Sequence, residues 1–154
     1  MSGLNLVVDA SAAVKLFIAD PLSAKALALV GLLRLTPPAI LHVPGLFFAE
    51  CANVLWKCTR FQGYARAHAC TDIQELRTLA WRVTATRELC ARALGLSIEC
   101  EISAYDACYV ALAERETAPL ITADQRLVRK LAGTQPAVQW LGDFSPPPAP
   151  PSAP

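Results

Sequence analysis

Two aspartates of this chain stand where a buried strand would pass into a helix, a position at which a carboxylate can do chemistry. Asp9 ends the apolar run "LNLVV" and precedes "SAAVKLF", which has helical composition. Asp124 repeats this arrangement near the other end of the chain, after the strand-like "PLIT". Such an aspartate can simply cap the helix that follows. It can also belong to a site, because ligands of open α/β sheets bind at the carboxyl ends of the strands.

Two further acidic residues fall within predicted helices. Asp106 stands three residues after Ser103, a spacing that resembles a capping box, yet it shares a helix face with the apolar Tyr109. Glu50 lies in mid-helix at the edge of an apolar stripe, where it is either a solvated residue paired with Lys57 or part of a site. Each of the four acids has an ordinary explanation alone. Together they could converge on one crevice, as divalent-metal chemistry requires.

The segments that must position these acids alternate between strand-like and helix-like composition. Strands are predicted at Leu6 to Val8 and in "AILHV", "WRVT", "PLIT" and "AVQWL", with helical stretches between them. Asp20 with Pro21 is expected to begin one helix, and Pro44 another that stops at Gly63. This alternation predicts an α/β fold with a parallel sheet that helices cover on both faces.

The composition fits one compact, partner-covered domain of a cytoplasmic protein. The 154 residues are enough for a sizeable single core, 54% of them are hydrophobic and only 18% are charged. No uninterrupted apolar stretch reaches the roughly 18 to 20 residues of a membrane span, and no signal-like segment opens the chain. From Pro146 the sequence is "PPPAPPSAP", so we expect a domain over 1–145 and a disordered Pro-rich tail over 146–154.

The cysteines do not predict a disulfide framework or a zinc site. None of them forms a C-x-x-C pair, and their spacing with the two histidines is unlike that of zinc fingers. Buried free thiols are the interpretation we favour. The six are Cys51, Cys58, Cys70, Cys90, Cys100 and Cys108.

Four segments resemble the signature segments of PIN-domain nucleases, most closely the VapC-type toxins of toxin–antitoxin pairs. They are "VVDASAAVKLF", "FFAECANVLWK", "YDACYVALAE" and "PLITADQRL", and the resemblance covers residues 4–143. It implies a three-layer α/β/α sandwich around a short parallel β-sheet. By position it also implies that the metal-site acids are Asp9, Glu50, Asp106 and Asp124, and that the supporting polar residues are Ser11, Asn53 and Thr122.

The resemblance further implies the reaction and the partners. The expected activity is metal-dependent hydrolysis of RNA, leaving a 5′-phosphate and a 3′-hydroxyl. Mg²⁺ or Mn²⁺ suits an all-oxygen ligand set. Asp9 and Asp106 are the expected direct ligands, with Glu50 and Asp124 holding a second ion or orienting its water. The expected partners are the RNA substrate, a cognate antitoxin and a second copy of the chain in a homodimer. No association with a membrane is expected.

The charge balance is compatible with an RNA substrate. The net charge is only +1, but when the four clustered acids are set aside, nine acidic residues remain against 14 basic ones. Several basic residues are either a phosphate-contacting rim or ordinary solvated charges: Arg60, Arg66, Arg126, Arg129 and Lys130. Trp56, opposite the apolar stripe of its helix, marks either a dimer or antitoxin interface or a second buried face.

Two other functions remain as alternatives. A phosphoaspartyl hydrolase also begins with an aspartate after its first strand, but it would need a second aspartate where this chain has Ser11. A non-catalytic PIN-like module that binds RNA or a protein partner is the other alternative, and loss of site acids would distinguish it. All four acids are present.

Overall fold

The sheet of this protein is parallel throughout, as predicted. The computed structural model describes residues 3–148. The strands are β1 (Asn5–Val8), β2 (Ile40–Pro44), β3 (Trp81–Thr84), β4 (Leu120–Thr122) and β5 (Val138–Trp140). They are ordered β3-β2-β1-β4-β5, so β1 lies at the centre of the sheet with β4 beside it.

Helices cover both faces of this sheet, which confirms the predicted three-layer α/β/α sandwich. They are α1 (Ala10–Ala13), α2 (Ser23–Gly31), α3 (Phe47–Gln62), α4 (Arg66–Thr78), α5 (Thr86–Cys100), α6 (Ala104–Glu116) and α7 (Gln125–Lys130). Short 3₁₀ turns at Val14–Leu16, Leu32–Arg34 and Leu141–Asp143 complete the described elements. Helix α6 packs on β1, β2 and β4 and against α5, while α3 packs against α1 and α4.

The core explains why the three central strands are mostly apolar. A parallel strand with helices on both faces buries every side chain, so no polar alternation is needed. Val7, Val8, Leu41 and Leu120 are accordingly buried. Phe47 of α3 is also fully buried, with its ring 4.9 Å from that of Trp81 in β3.

The predicted helix starts were wrong in two places, and the predicted stop was right. Pro44 ends β2, where its missing N–H needs no ladder partner, and α3 begins only at Phe47. Asp20 closes a turn before α2 by accepting from the Leu22 N–H at 2.9 Å, so Pro21 lies outside the helix. Gly63 ends α3 with φ of +70°, a left-handed conformation that glycine adopts without strain.

All six cysteines are free, but only half of them are buried. Cys51, Cys58 and Cys108 face the interior, whereas Cys70 and Cys90 lie on outward faces of α4 and α5. The prediction of buried thiols is therefore wrong for these last two, and Cys100 is only half-buried. Within residues 3–148 no helix is long and apolar enough to cross a bilayer. The predicted tail lies mostly outside the described residues and stays a prediction.

Candidate active site

Strand pairing brings the ends of β1 and β4, which are distant in sequence, together at the carboxyl edge of the sheet. Because β1 and β4 are neighbours, Val8 pairs with Ile121 and the Asp9 N–H donates to the Ile121 carbonyl at 3.0 Å. Asp9, which follows β1, therefore meets Thr122, which ends β4. Burial of both apolar strands in the sheet is what places these two polar residues side by side.

The Asp9 carboxylate is buried and held by two hydroxyl groups. Only 6% of Asp9 is exposed, and its Oδ2 accepts from Ser11 Oγ at 2.7 Å and from Thr122 Oγ1 at 2.6 Å. Each hydroxyl oxygen in turn accepts a backbone N–H, from Ala123 and Asp124 respectively. Asp9 occupies the N-cap position of α1 but makes no side-chain capping bond there. This network orients the carboxylate instead of capping the helix.

All four predicted acids line one pocket of about 220 Å³. Helix α3 contributes Glu50, Asn53 and Lys57, whose i, i+3, i+7 spacing puts them on one face. The remaining lining residues are Asp9, Ala10, Ser11, Val54, Asp106 and Asp124. The structure therefore brings together every predicted metal-site and supporting residue except Thr122, which reaches the pocket through its bond to Asp9.

The capping explanation holds fully for Asp124 and only in part for Asp106. Asp124 does cap α7, since its Oδ1 accepts from the N–H groups of Arg126 at 2.9 Å and Leu127 at 3.4 Å. Ser103 caps α6 by accepting from the Asp106 N–H at 3.1 Å, as the capping-box spacing suggested. The cap on α6 uses the backbone of Asp106 and leaves its half-buried carboxylate for the pocket.

The pairing of Glu50 with Lys57, one of the two alternatives for this residue, is not observed. Among residues 3–148 no ion pair joins them; Glu50 Oε1 instead accepts from the Tyr109 hydroxyl at 2.7 Å. Lys57 is exposed at the rim of the pocket. Sequence reasoning missed both residues as parts of the site. Their spacings, seven residues after Glu50 for Lys57 and three after Asp106 for Tyr109, were the available signals.

The surroundings of the pocket destabilise the ionised form of three of its carboxyl groups. Burial is the largest cause that raises the pKa values of Asp9, Glu50 and Asp106. Like charges add to it, because Asp106 raises the pKa of Asp9, and both of these acids raise that of Glu50. The hydroxyl donors Ser11 and Thr122 act in the opposite direction on Asp9. A cation in this pocket would relieve both the burial and the repulsion.

Of the five candidate rim cations, the structure places two beside the acids. Arg126 and Lys130 line an adjoining pocket of about 270 Å³ that also contains Asp106 and Asp124. Arg60 instead lies over the ring of Phe61, 5.4 Å from its centroid. Arg66 lines a groove between α3 and α4, and Arg129 lines neither acidic pocket.

A larger cleft elsewhere on the molecule lacks comparable chemistry. It has a volume of about 540 Å³ and is lined by Glu114, Thr117, Pro119, Gln135, Pro136 and Ala137. Its single carboxylate, Glu114, already pairs with Arg92 at 2.7 Å. The acidic pocket is therefore the better candidate site in spite of its smaller size.

The donor set of the acidic pocket suits a hard divalent ion. Carboxylate and hydroxyl oxygens are the ligands that Mg²⁺ and Mn²⁺ prefer. Within residues 3–148 no group of three or more acidic, histidine or cysteine side chains is arranged to hold an ion as it stands. The chemistry of the residues fits a metal, and the half-buried side chains of Asp106 and Asp124 would have to turn toward it.

Comparison with known proteins places the chain in a family. Residues 6–133 match the PIN domain. The chain is 33% identical over 129 residues to Ribonuclease VapC3 of Pyrobaculum aerophilum, an alignment that covers 82% of this chain and 95% of the relative.

Solved structures share the fold. PAE2754 from Pyrobaculum aerophilum superposes with a TM-score of 0.64 and 24% identity over 90% of this chain and 85% of its own. A toxin–antitoxin complex from Klebsiella pneumoniae gives a TM-score of 0.58 and 18% identity over 87% and 96% of the two chains. At these identities the two structures support the fold alone. The matched domain and the VapC relative show that this chain belongs to the PIN-domain family.

Proposed function

We propose that this chain is a metal-dependent endoribonuclease that hydrolyses RNA phosphodiester bonds at the acidic pocket. The observation that carries the proposal is the convergence of Asp9, Glu50, Asp106 and Asp124, from four separate parts of the chain, on one pocket at the carboxyl edge of the sheet. Membership of the PIN-domain family and the ribonuclease relative support it. Burying the Asp9 carboxylate lowers the stability of the fold, even with two hydroxyl donors. Such a cost is expected at a functional site and not at a purely structural position.

We assign these residues the roles expected from the sequence. Asp9 and Asp106 would hold the ion, and Glu50 and Asp124 would bind a second ion or orient water. A bound Mg²⁺ or Mn²⁺ supplies charge for the scissile phosphate and lowers the pKa of a water ligand. Ser11 and Thr122 keep the Asp9 carboxylate in one orientation.

Polar groups at the pocket rim would bind the substrate. Asn53 and Lys57 lie on the pocket side of α3, where an amide and an ammonium group can contact RNA phosphates. Arg126 and Lys130 extend this cationic rim into the adjoining pocket. The phosphoaspartyl alternative is less well supported, because the position that would need its second aspartate is Ser11, which donates to Asp9.

Removal of divalent ions should abolish the cleavage. We expect the purified protein to cut single-stranded RNA with Mg²⁺ or Mn²⁺. It should lose this activity in excess EDTA, because the carboxylates alone supply no positive charge to neutralise the phosphate. Denaturing gels of a labelled RNA, with and without Mn²⁺ added back, measure this. Undiminished cleavage in EDTA would contradict the metal mechanism, and no cleavage under any metal would favour the non-catalytic alternative.

We further propose that the protein acts as the toxin of a toxin–antitoxin pair in the cytoplasm, and that it forms a homodimer. The 33% identical relative, Ribonuclease VapC3, supports the first part. On the chain itself, an apolar groove of about 330 Å³ between α3 and α4 is lined by Leu55, Trp56 and Ile73, among others. Trp56 is 55% exposed, so it does not form a second buried face within the described chain. We assign this groove to the antitoxin.

Replacing Trp56 by serine should weaken antitoxin binding by roughly 30-fold or more, because buried tryptophans at interfaces contribute about 2 kcal/mol or more. Titration calorimetry with the product of the neighbouring gene measures the affinity, and Leu27→Ser, an exposed apolar residue on α2, is the matched control. RNA cleavage by Trp56→Ser should be unchanged. If instead the variant keeps its antitoxin affinity and becomes monomeric in size-exclusion chromatography, the groove is the dimer interface.

A further inference from the structure

A buried tyrosine hydroxyl holds one of the acids that line the pocket. Tyr109 is 1% exposed and lies on α6, one turn after Asp106. Its hydroxyl donates to Glu50 Oε1 at 2.7 Å. A buried tyrosine hydroxyl needs a hydrogen-bond partner, and hydrogen bonds to a carboxylate are stronger than those between neutral groups. This bond therefore fixes the Glu50 side chain firmly.

The bond connects the two long helices that supply acids to the pocket. Glu50 comes from α3, whereas α6 carries both Asp106 and the tyrosine. Without the bond, the several rotatable torsions of a glutamate on a helix surface would let its carboxylate move freely. With one oxygen held by Tyr109, Oε2 remains available to the pocket that Glu50 lines.

Repulsion makes such a restraint necessary. Asp9 and Asp106 line the same pocket, and their negative charges would push an unrestrained Glu50 side chain toward solvent. The tyrosine hydroxyl presents the positive end of its O–H dipole to Glu50 from the buried side. It thereby opposes the repulsion at the position where the glutamate is needed.

We infer that Tyr109 is a positioning residue of the site, whose hydroxyl keeps the Glu50 carboxylate at the pocket so that it can take part in holding the metal. This inference rests on the proposed nuclease function. It makes Tyr109 more than a packing residue of α6, since its ring could fill the core without the hydroxyl group.

Tyr109→Phe tests the inference, because it removes the hydroxyl and keeps the ring. We expect the apparent Mn²⁺ affinity to fall by roughly tenfold, as for other residues that orient metal ligands. Mn²⁺ binding is followed by electron paramagnetic resonance of the free ion, which does not depend on RNA cleavage. Tyr105→Phe is the matched control, since it removes the hydroxyl of a tyrosine that is 66% exposed on the same helix and should bind Mn²⁺ like the wild type.

A double-mutant cycle shows whether the hydroxyl acts through Glu50. In a Glu50→Gln background, Tyr109→Phe should change Mn²⁺ binding by less than about twofold, because the carboxylate it positions is already lost. The inference is overturned if Tyr109→Phe binds Mn²⁺ like the wild type, or if it lowers affinity equally in both backgrounds. A wild-type protein that neither binds Mn²⁺ nor cleaves RNA would instead overturn the proposed function itself.

Discussion

Replacing Asp9 by asparagine should slow RNA cleavage by at least about a hundredfold. Loss of a residue that only supports a metal ligand already costs up to about that factor, and Asp9 is a proposed direct ligand. Asparagine keeps the shape of the side chain and can still accept from Ser11 and Thr122 at the distances seen here. It removes the negative charge that a divalent ion requires. Asp106→Asn should have an effect of the same order, because Asp106 is the other proposed direct ligand. Initial rates at saturating Mn²⁺ measure both effects.

A charge change outside the pocket provides the control. Glu75→Gln removes one carboxylate from the exposed face of α4 and should leave the rate within about twofold of the wild type, as expected for a surface substitution far from special features. Circular dichroism should show that all three variants are folded. If Asp9→Asn and Asp106→Asn both retain near-wild-type rates, the catalytic site lies elsewhere.

The same Asp9→Asn change should stabilise the protein when no metal is bound and should reduce the stabilisation by metal. An ion that binds only the folded protein contributes about 2.7 kcal/mol at a hundredfold excess over its dissociation constant. For a chain of this size that corresponds to a rise of roughly 5 to 10 °C in melting temperature. The wild type should show this rise with millimolar Mn²⁺. Asp9→Asn should melt higher than the wild type in EDTA and gain much less from Mn²⁺.

The pH dependence of the metal-free protein follows from the raised pKa of Asp9. Burial, with the Asp106 charge adding to it, makes the folded protein hold the Asp9 proton to higher pH than the unfolded chain does. The folded state therefore binds more protons than the unfolded chain in this pH range. As a result, the contribution of Asp9 to the free energy of unfolding falls as pH rises from about 4, the ordinary carboxyl value, through the raised pKa. In EDTA the melting temperature of the wild type, relative to Asp9→Asn, should fall over that interval.

The comparison with the variant isolates Asp9 from carboxylates that act in the opposite direction. Hydrogen bonds from Lys15 and Arg92 lower the pKa values of Asp20 and Glu114, so their stabilisation is lost as pH falls. These contributions are common to both proteins and cancel in the difference. A wild type that melts above Asp9→Asn in EDTA at neutral pH, with an equal response of the two to Mn²⁺, would identify Asp9 as a structural residue.

The sequence alone determined the layers of this protein and the edge on which its acids lie. Apolar strands without polar alternation must be buried on both faces, which predicts a parallel sheet between helices. Asp9 and Asp124 follow two of these strands, and parallel strands end at one edge. The same local pattern identified the end of α3 at Gly63, because a left-handed residue is a property of the turn itself. Helix starts were less predictable, since Pro44 suits a strand end as well as a helix start.

Only the tertiary structure decided which groups meet. The order β3-β2-β1-β4-β5 puts β4 beside β1 and so brings Thr122 to 2.6 Å from Asp9, although the chain between them is long. The partner of Glu50 is Tyr109 of another helix instead of Lys57 of its own. Sequence periodicity reports which face of an element is buried, but not which element covers that face. The pairing of distant side chains depends on how all the layers pack together. Spacing within one element does not determine it.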